Sequence, residues 1–244
     1  MLALLLVALG SLPALASDEA ARSGVAWLNQ LRSVSGLPPV EYDATMTPGA
    51  VEHARYMVKT GTIGHSQDPA SPWFSEAGHT AAQESNVALI WDGDVRAHVS
   101  GLHAIPFHQI GQMRPRLQRS TVGFWTEGGM TGGVVNVIGG LDPDVFSTTP
   151  VAYPGPGSTS PLRSAFREWP DPLTSCPGYT VPTGASIVVL LPTNETASAV
   201  RLTRGTERLD TCLFDASSYH NPDQAQQDQV RYGLDRDNAI VVIP

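Results

Sequence analysis

Apolar residues repeat at helical spacing in the first half of the chain and alternate in the second. Val25, Leu28 and Leu31 mark one face of a first helix. Ser17-Asp18-Glu19 supply its cap and acidic first turn, and Gly36 fits its stop. Thr47-Pro48 opens a second helix with proline at the first helical position. Ala50, Ala54, Met57 and Val58 form its inner stripe and Gly61 ends it. The stretches 95–104 and 106–113 read as a third and a short fourth helix. Thr121–Trp125 and Val134–Ile138 have the β-branched and aromatic character of strands, with a Gly-rich turn over 128–133. These elements make an α/β layered region over 17–142.

The pattern then breaks. Seven of the twenty prolines fall within 143–172, a density that suits a semi-rigid linker. Beyond it only strands are predicted: Ala185–Leu191, Ala199–Arg204, Leu209–Phe214 and the apolar end Ala239–Pro244. A sandwich takes roughly seven strands and about 100 residues. The expected all-β module over 173–244 is therefore partial, as though truncated at its C-terminus.

Residues 1–16 are apolar and end in Ala14-Leu15-Ala16, the pattern of a secretory signal peptide. That run is shorter than the roughly 20 residues of a membrane span. Export to a secreted, extracellular location follows. The formal net charge is −8 and no basic run occurs, which argues against nucleic acid and anionic membrane as partners. Lys59 is the one lysine among 15 basic residues, a bias typical of a GC-rich genome and hence of a bacterium. The sequon Asn194-Glu195-Thr196 is then not expected to carry sugar. Cys176 and Cys212 are the only cysteines, and in an exported chain such a pair is expected to form a disulfide.

Six of the seven histidines lie between positions 53 and 108. Imidazole suits both metal binding and proton transfer near neutral pH. His53, His79, His98 and His103 read as packing or surface residues. His98, His103 and His108 recur every fifth residue, which turns a helix about 140° beyond a full turn, so they do not share one face. Trp73, Trp91 and Trp125 read as core. Gly-x-Ser-x-Gly and His-Glu-x-x-His are both absent, which removes the usual serine hydrolase and zincin signatures.

An ordered series of short motifs remains. Leu28-Asn29-Gln30-Leu31-Arg32 precedes Gly36-Leu37-Pro38-Pro39-Val40. Ala50-Val51-Glu52-His53-Ala54-Arg55-Tyr56-Met57 follows, then Gly64-His65-Ser66, Gly78 and Glu84-Ser85-Asn86. Pro106-Phe107-His108 and Thr121-Val122-Gly123-Phe124-Trp125 complete it. This series resembles the CAP superfamily (cysteine-rich secretory proteins, antigen 5, pathogenesis-related 1) in its bacterial branch. The resemblance implies an α-β-α sandwich with a shallow cavity holding two histidines and two glutamates. His65 and His108 match the histidine positions, which in that family can bind zinc (Zn2+) or another divalent ion. Where the family has Gly-Glu-Asn this chain has Glu84-Ser85-Asn86, so Glu84 reaches the site only through a one-residue shift. The second glutamate has no match; Asp94 and His98 are near but outside any family-like motif. By analogy of order, the trailing strands resemble the immunoglobulin-like modules that follow bacterial CAP domains.

Two functions fit these residues. One is an exported binding or interaction module whose cavity takes a small ligand, a metal or an extracellular or cell-wall component. The other is a metal-assisted hydrolase of peptides or wall polymers using His65, Glu84 and His108. The missing second carboxylate favours the first, because hydrolysis needs a base for water.

Overall fold

A computed structural model describes residues 12–193 and 195–244. Positions 1–11 of the expected export segment, and Asn194 of the sequon, lie outside the described residues. Helix α1 spans Leu12–Val34, so it starts upstream of the predicted Ser17 cap. Pro13 sits in its first turn, where a missing N–H breaks no helical bond. Gly36, at φ 70°, follows its end as predicted.

The layered region continues with β1 (Glu41–Tyr42), α2 (Thr47–Thr60), α3 (Glu76–Gln83), β2 (Ser85–Trp91), α4 (Val95–Ala104) and α5 (Pro106–Met113). It closes with β3 (Arg119–Ser120), β4 (Val122–Glu127) and β5 (Met130–Asn136). Helices α4 and α5 match the predicted stretches, and α2 ends on Gly61 at φ 65°. Helix α3 and strand β2 had no prediction.

Strands β2, β5 and β4 form one antiparallel sheet in that order. Ala50, Ala54 and Met57 of α2 pack on one face with Val87 and Val134. Val25, Leu28 and Leu31 of α1 and Val99 and Leu102 of α4 pack on the other with Val122 and Val135. The result is an α-β-α sandwich, held by the alternation of side chains across a strand. The predicted turn over 128–133 shrinks to Gly128-Gly129, both at positive φ. Gly132 and Gly133 lie within β5 instead, because helices approach them closely. A Cβ on Gly132 would lie 2.5 Å from the Ala54 carbonyl oxygen, and one on Gly133 2.3 Å from the His98 ring.

The second half corrects the sequence reading more deeply. Its elements are β6 (Val151–Tyr153), β7 (Ser164–Ala165), a 3-10 turn (Pro172–Ser175), β8 (Thr183–Gly184) and β9 (Ile187–Leu190). Then come β10 (Leu202–Arg204), β11 (Glu207–Leu209), β12 (Cys212–Phe214), α6 (Gln224–Arg236) and β13 (Ala239–Ile243). An antiparallel sheet runs β12-β13-β9-β6, with the apolar end strand in its interior. The stretch 143–172 is thus not a bare linker, since it supplies β6 to this sheet.

Nor is 173–244 all-β. Asp223 caps α6 by accepting from Gln226 N at 3.1 Å, and Val230 and Leu234 turn inward one helical turn apart. Gln-rich composition with few apolar positions hid this helix. Among the described residues the larger sheet therefore faces a helix, not the second sheet expected of an immunoglobulin-like module.

One core cluster joins the two halves. Leu37, Ile110 and Met113 pack with Val151, Tyr153, Val188, Phe214 and Val241. Two buried arginines hold the end of α5 and, through Arg114, the seam. Arg32 donates to the carbonyls of Gln112 (2.7 Å) and Arg114 (3.1 Å), satisfying the open C-terminal end of α5. Burial pulls its pKa down to about 10. Arg114 grips Asp237 with two bonds of 3.0 and 2.9 Å. The predicted disulfide between Cys176 and Cys212 is present. It links the end of the 3-10 turn to β12 rather than two neighbouring strands.

Candidate functional site

A cavity of about 680 Å³ opens between the edge strand β2, helix α4, the loop after α2 and the segment Phe166–Trp169. Its walls are chiefly apolar, with Val87, Leu89, Ile90, Leu102, Ile105 and Phe166 among them. Volume and lining fall in the range of small-molecule sites. Gly101 also lines it, in the middle of α4. A Cβ there would meet nothing within 4 Å, so close packing does not require this glycine. Glycine inside a helix costs roughly 1 kcal/mol against alanine. The residue is exposed where it lines the cavity.

His65 and His108 both line this cavity. Gly64 carries His65 out of the loop after α2, and Pro106 at the start of α5 places His108 in its first turn. Their rings stack with centroids 6.4 Å apart and planes 24° from parallel. The structure thus brings together the two histidines that the sequence separates by 43 positions.

His65 Nδ1 bonds the Ala82 carbonyl at 3.1 Å. The residue as a whole is exposed. Even so, the protein around its ring strips enough water to hold its pKa below the usual histidine value, with a smaller push from His108. Hydrogen bonds to the backbone of Ala82 and, more weakly, of Ser85 oppose that shift without cancelling it.

The acid of the site is Glu168. Its side chain is fully buried, and its Oε1 takes both the Nδ1 and the backbone N–H of His108, the latter at 3.0 Å. Oε2 accepts from Phe107 N at 3.3 Å. Helix α5 has no side-chain cap of its own, as Ile105 occupies that place. Glu168 therefore caps it from 60 residues away, where a carboxylate is favoured by the open N–H groups and the helix dipole.

Glu84 does not take this role. Its carboxylate accepts from Asn136 Nδ2 at 3.2 Å and packs against Gly139, and it is not among the cavity's lining residues. The backbone explains the turn: the Glu84 carbonyl is already held by Val137 N and Ile138 N, which ties the residue to the end of β5. Ser85 is buried within β2 and also lies off the cavity. Asp94 caps α4 by accepting from Ala97 N at 2.7 Å. His98 is buried beside the cavity, with Nε2 on Thr131 Oγ1 at 2.8 Å, and burial lowers its pKa to about 4. His53 and His103 are likewise buried and structural, bonded to Gly64 O and Gln112 Oε1. Sequence reading missed Glu168 because it stands in the Pro-rich stretch read as a linker. Its one local signal was a lone acid between two aromatic residues, Phe166 and Trp169.

Residues 25–129 match the CAP family, described as the cysteine-rich secretory protein family. The match covers the α-β-α sandwich through β4 and includes His65 and His108, whereas Glu168 lies beyond it. Among solved structures, an extracellular protein containing a SCP domain from Bacillus anthracis aligns at 15% identity and a TM-score of 0.37. That alignment covers 49% of this chain and 40% of the other. An outer surface protein from Borrelia burgdorferi aligns at 20% identity and a TM-score of 0.37, over 49% of this chain and 91% of its own. No curated protein matches the chain.

The CAP-like site falls short of a metal centre. A catalytic zinc is held by three protein side chains. His65 and His108 supply two, and Glu168 sits on the far nitrogen of His108. Among the described residues no group of three or more His, Cys, Asp or Glu side chains is arranged to hold a metal ion. The residues present do not fit the zinc or similar ion that the family resemblance implies. Among them, too, no helix is long and apolar enough to cross a membrane.

Proposed function

We propose that this chain is an exported binding module whose CAP-like cavity takes up a small, mainly apolar molecule. Export rests on the signal-like residues 1–16 and on the disulfide, which an oxidising compartment favours. The observation that carries the binding role is a cavity of about 680 Å³ with chiefly apolar walls and the stacked pair His65 and His108 in its lining. Apolar walls supply the driving force for uptake, at roughly 25 cal/mol per Å² removed from water. The His65–His108 end supplies the few polar contacts that orient a ligand. The metal-assisted hydrolase is the weaker reading, because Glu84 is turned away and the ligand set is incomplete.

Gly101→Phe tests this directly. The new ring has open space to enter and removes glycine from a helix, so the fold is expected to keep its stability. Binding of the neutral fluorescent probe N-phenyl-1-naphthylamine should be strong in the native chain and lost in the variant. Equal binding by both proteins would refute the cavity as the site.

A further inference from the structure

We infer that the ligand of this cavity is a short extended peptide, which adds as a further strand to the open edge of β2. This names the ligand class of the binding role and rests on that role. Strand β2 stands at the edge of its sheet and pairs with β5 alone. Two backbone bonds fix which of its groups point outward. Val137 N donates to the Glu84 carbonyl and Asp92 N to the Gly129 carbonyl, and each extends the β2–β5 register by one pair. Hydrogen-bonded pairs alternate along an antiparallel ladder. Asn86, Ala88 and Ile90 therefore turn their N–H and C=O groups to β5, while Ser85, Val87, Leu89 and Trp91 turn theirs to the open edge. His65 bonds to the backbone of Ser85 on that edge. The N–H and C=O groups of Val87 and Leu89 have no partner among the described residues.

Val87 and Leu89 both line the cavity. An apolar molecule without donors and acceptors would leave their backbone groups unpaired away from water, which is unfavourable. An extended peptide pairs them all, because its alternate residues recur at the same spacing of about 6.8 Å. The peptide residue between the two bonded ones then projects on the Ala88 face, where Gly101, Leu102 and Ile105 favour an apolar side chain. Sheet edges are commonly blunted by a charge, a proline or a bulge. Strand β2 reads Ser85-Asn86-Val87-Ala88-Leu89-Ile90-Trp91, with an unbroken ladder, and has none of these. A second copy of the chain fits worse. Helix α4 and the segment Phe166–Trp169 wall the cavity beside this edge, and a rigid sheet would have to pass them.

The test uses the full chain, N-phenyl-1-naphthylamine and the blocked peptide acetyl-Thr-Val-Leu-Val-Thr-amide. The peptide is expected to displace the probe. It should also slow amide hydrogen exchange at Val87 and Leu89 by roughly tenfold or more, with Ala88 and Ile90 changing little. N-methylation of either peptide valine should weaken displacement by roughly tenfold, about the worth of one well-made hydrogen bond. N-methylation of the central leucine, whose N–H faces away from β2, should leave it nearly unchanged.

Equal losses at all three positions, or none at any, would overturn strand addition. A bound probe that the peptide leaves in place would overturn it too, and so would displacement without slower exchange at Val87 and Leu89; the cavity then remains a small-molecule site. Slow exchange at both residues in peptide-free chain, lost on dilution, would overturn the peptide in favour of a second copy. Failure of the probe itself to bind would instead remove the binding role on which the inference stands.

Discussion

Glu168 and His108 stand 60 positions apart, yet one carboxylate oxygen of Glu168 takes both the ring Nδ1 and the backbone N–H of His108. The contact crosses from the second half of the chain into the CAP-like sandwich. It fixes one cavity wall and caps α5 at once.

Removing this acid should cost more than a surface contact. Glu168→Ala leaves Phe107 N, His108 N and His108 Nδ1 without their acceptor in a buried place. A loss of about 2–4 kcal/mol is expected, with Glu168→Gln losing less because its amide oxygen still accepts. Urea unfolding reads the difference. Equal stability of Glu168→Ala and native chain would show that the cap is dispensable.

Asp237 offers a pH-dependent probe of the seam between the halves. Burial raises its pKa, but the bonds and charge of Arg114, then those of Arg236, outweigh that and leave it lowered. A depressed carboxylate contributes stability that is full above the unfolded value, about 3.9, and is lost as pH falls through the folded one. Asp237→Asn should therefore destabilise at neutral pH by about 3 kcal/mol and flatten the stability profile below about pH 4. An acid limb unchanged from native would contradict the assignment.

Three buried histidines predict an earlier effect of acid. Burial holds His53, His98 and His103 each to about 4. They stay neutral in the fold while the unfolded chain takes up protons near pH 6.5. Their contribution is complete above about 6.5 and drains as pH falls towards about 4, by up to ~1.4 kcal/mol per pH unit for each. Melting temperature should fall measurably between pH 7 and pH 5. A flat profile over that window would mean that these rings are charged in the native state.

The disulfide closes a stretch with a sequence separation of 36. In the chain-entropy picture this stabilises the fold by roughly 3–4 kcal/mol. Reduction, or Cys176→Ser with Cys212→Ser, should lower the unfolding midpoint accordingly. Unaltered stability after reduction would show that the core around Phe214 and Tyr219 holds this end without the bond.

Local signals sufficed where local physics decides. Helical spacing and end residues placed α2, because a stripe of apolar positions and a glycine in the left-handed region act within a few residues. The order of the His65 and His108 motifs was legible for the same reason, and so was the pairing of two lone cysteines in an exported chain. Tertiary structure decided the rest. Gly132 and Gly133 look like a turn until α2 and α4 pack against them. Val151–Tyr153 looks like linker until β9 pairs with it across the chain. The helix α6 carries too few apolar residues to show itself, since only Val230 and Leu234 need to reach the core. Glu84 sits in the motif yet bonds Asn136, while Glu168, in no motif, reaches His108. A buried carboxylate goes where unpaired N–H groups are, and which N–H groups remain unpaired is settled only once the whole chain has packed.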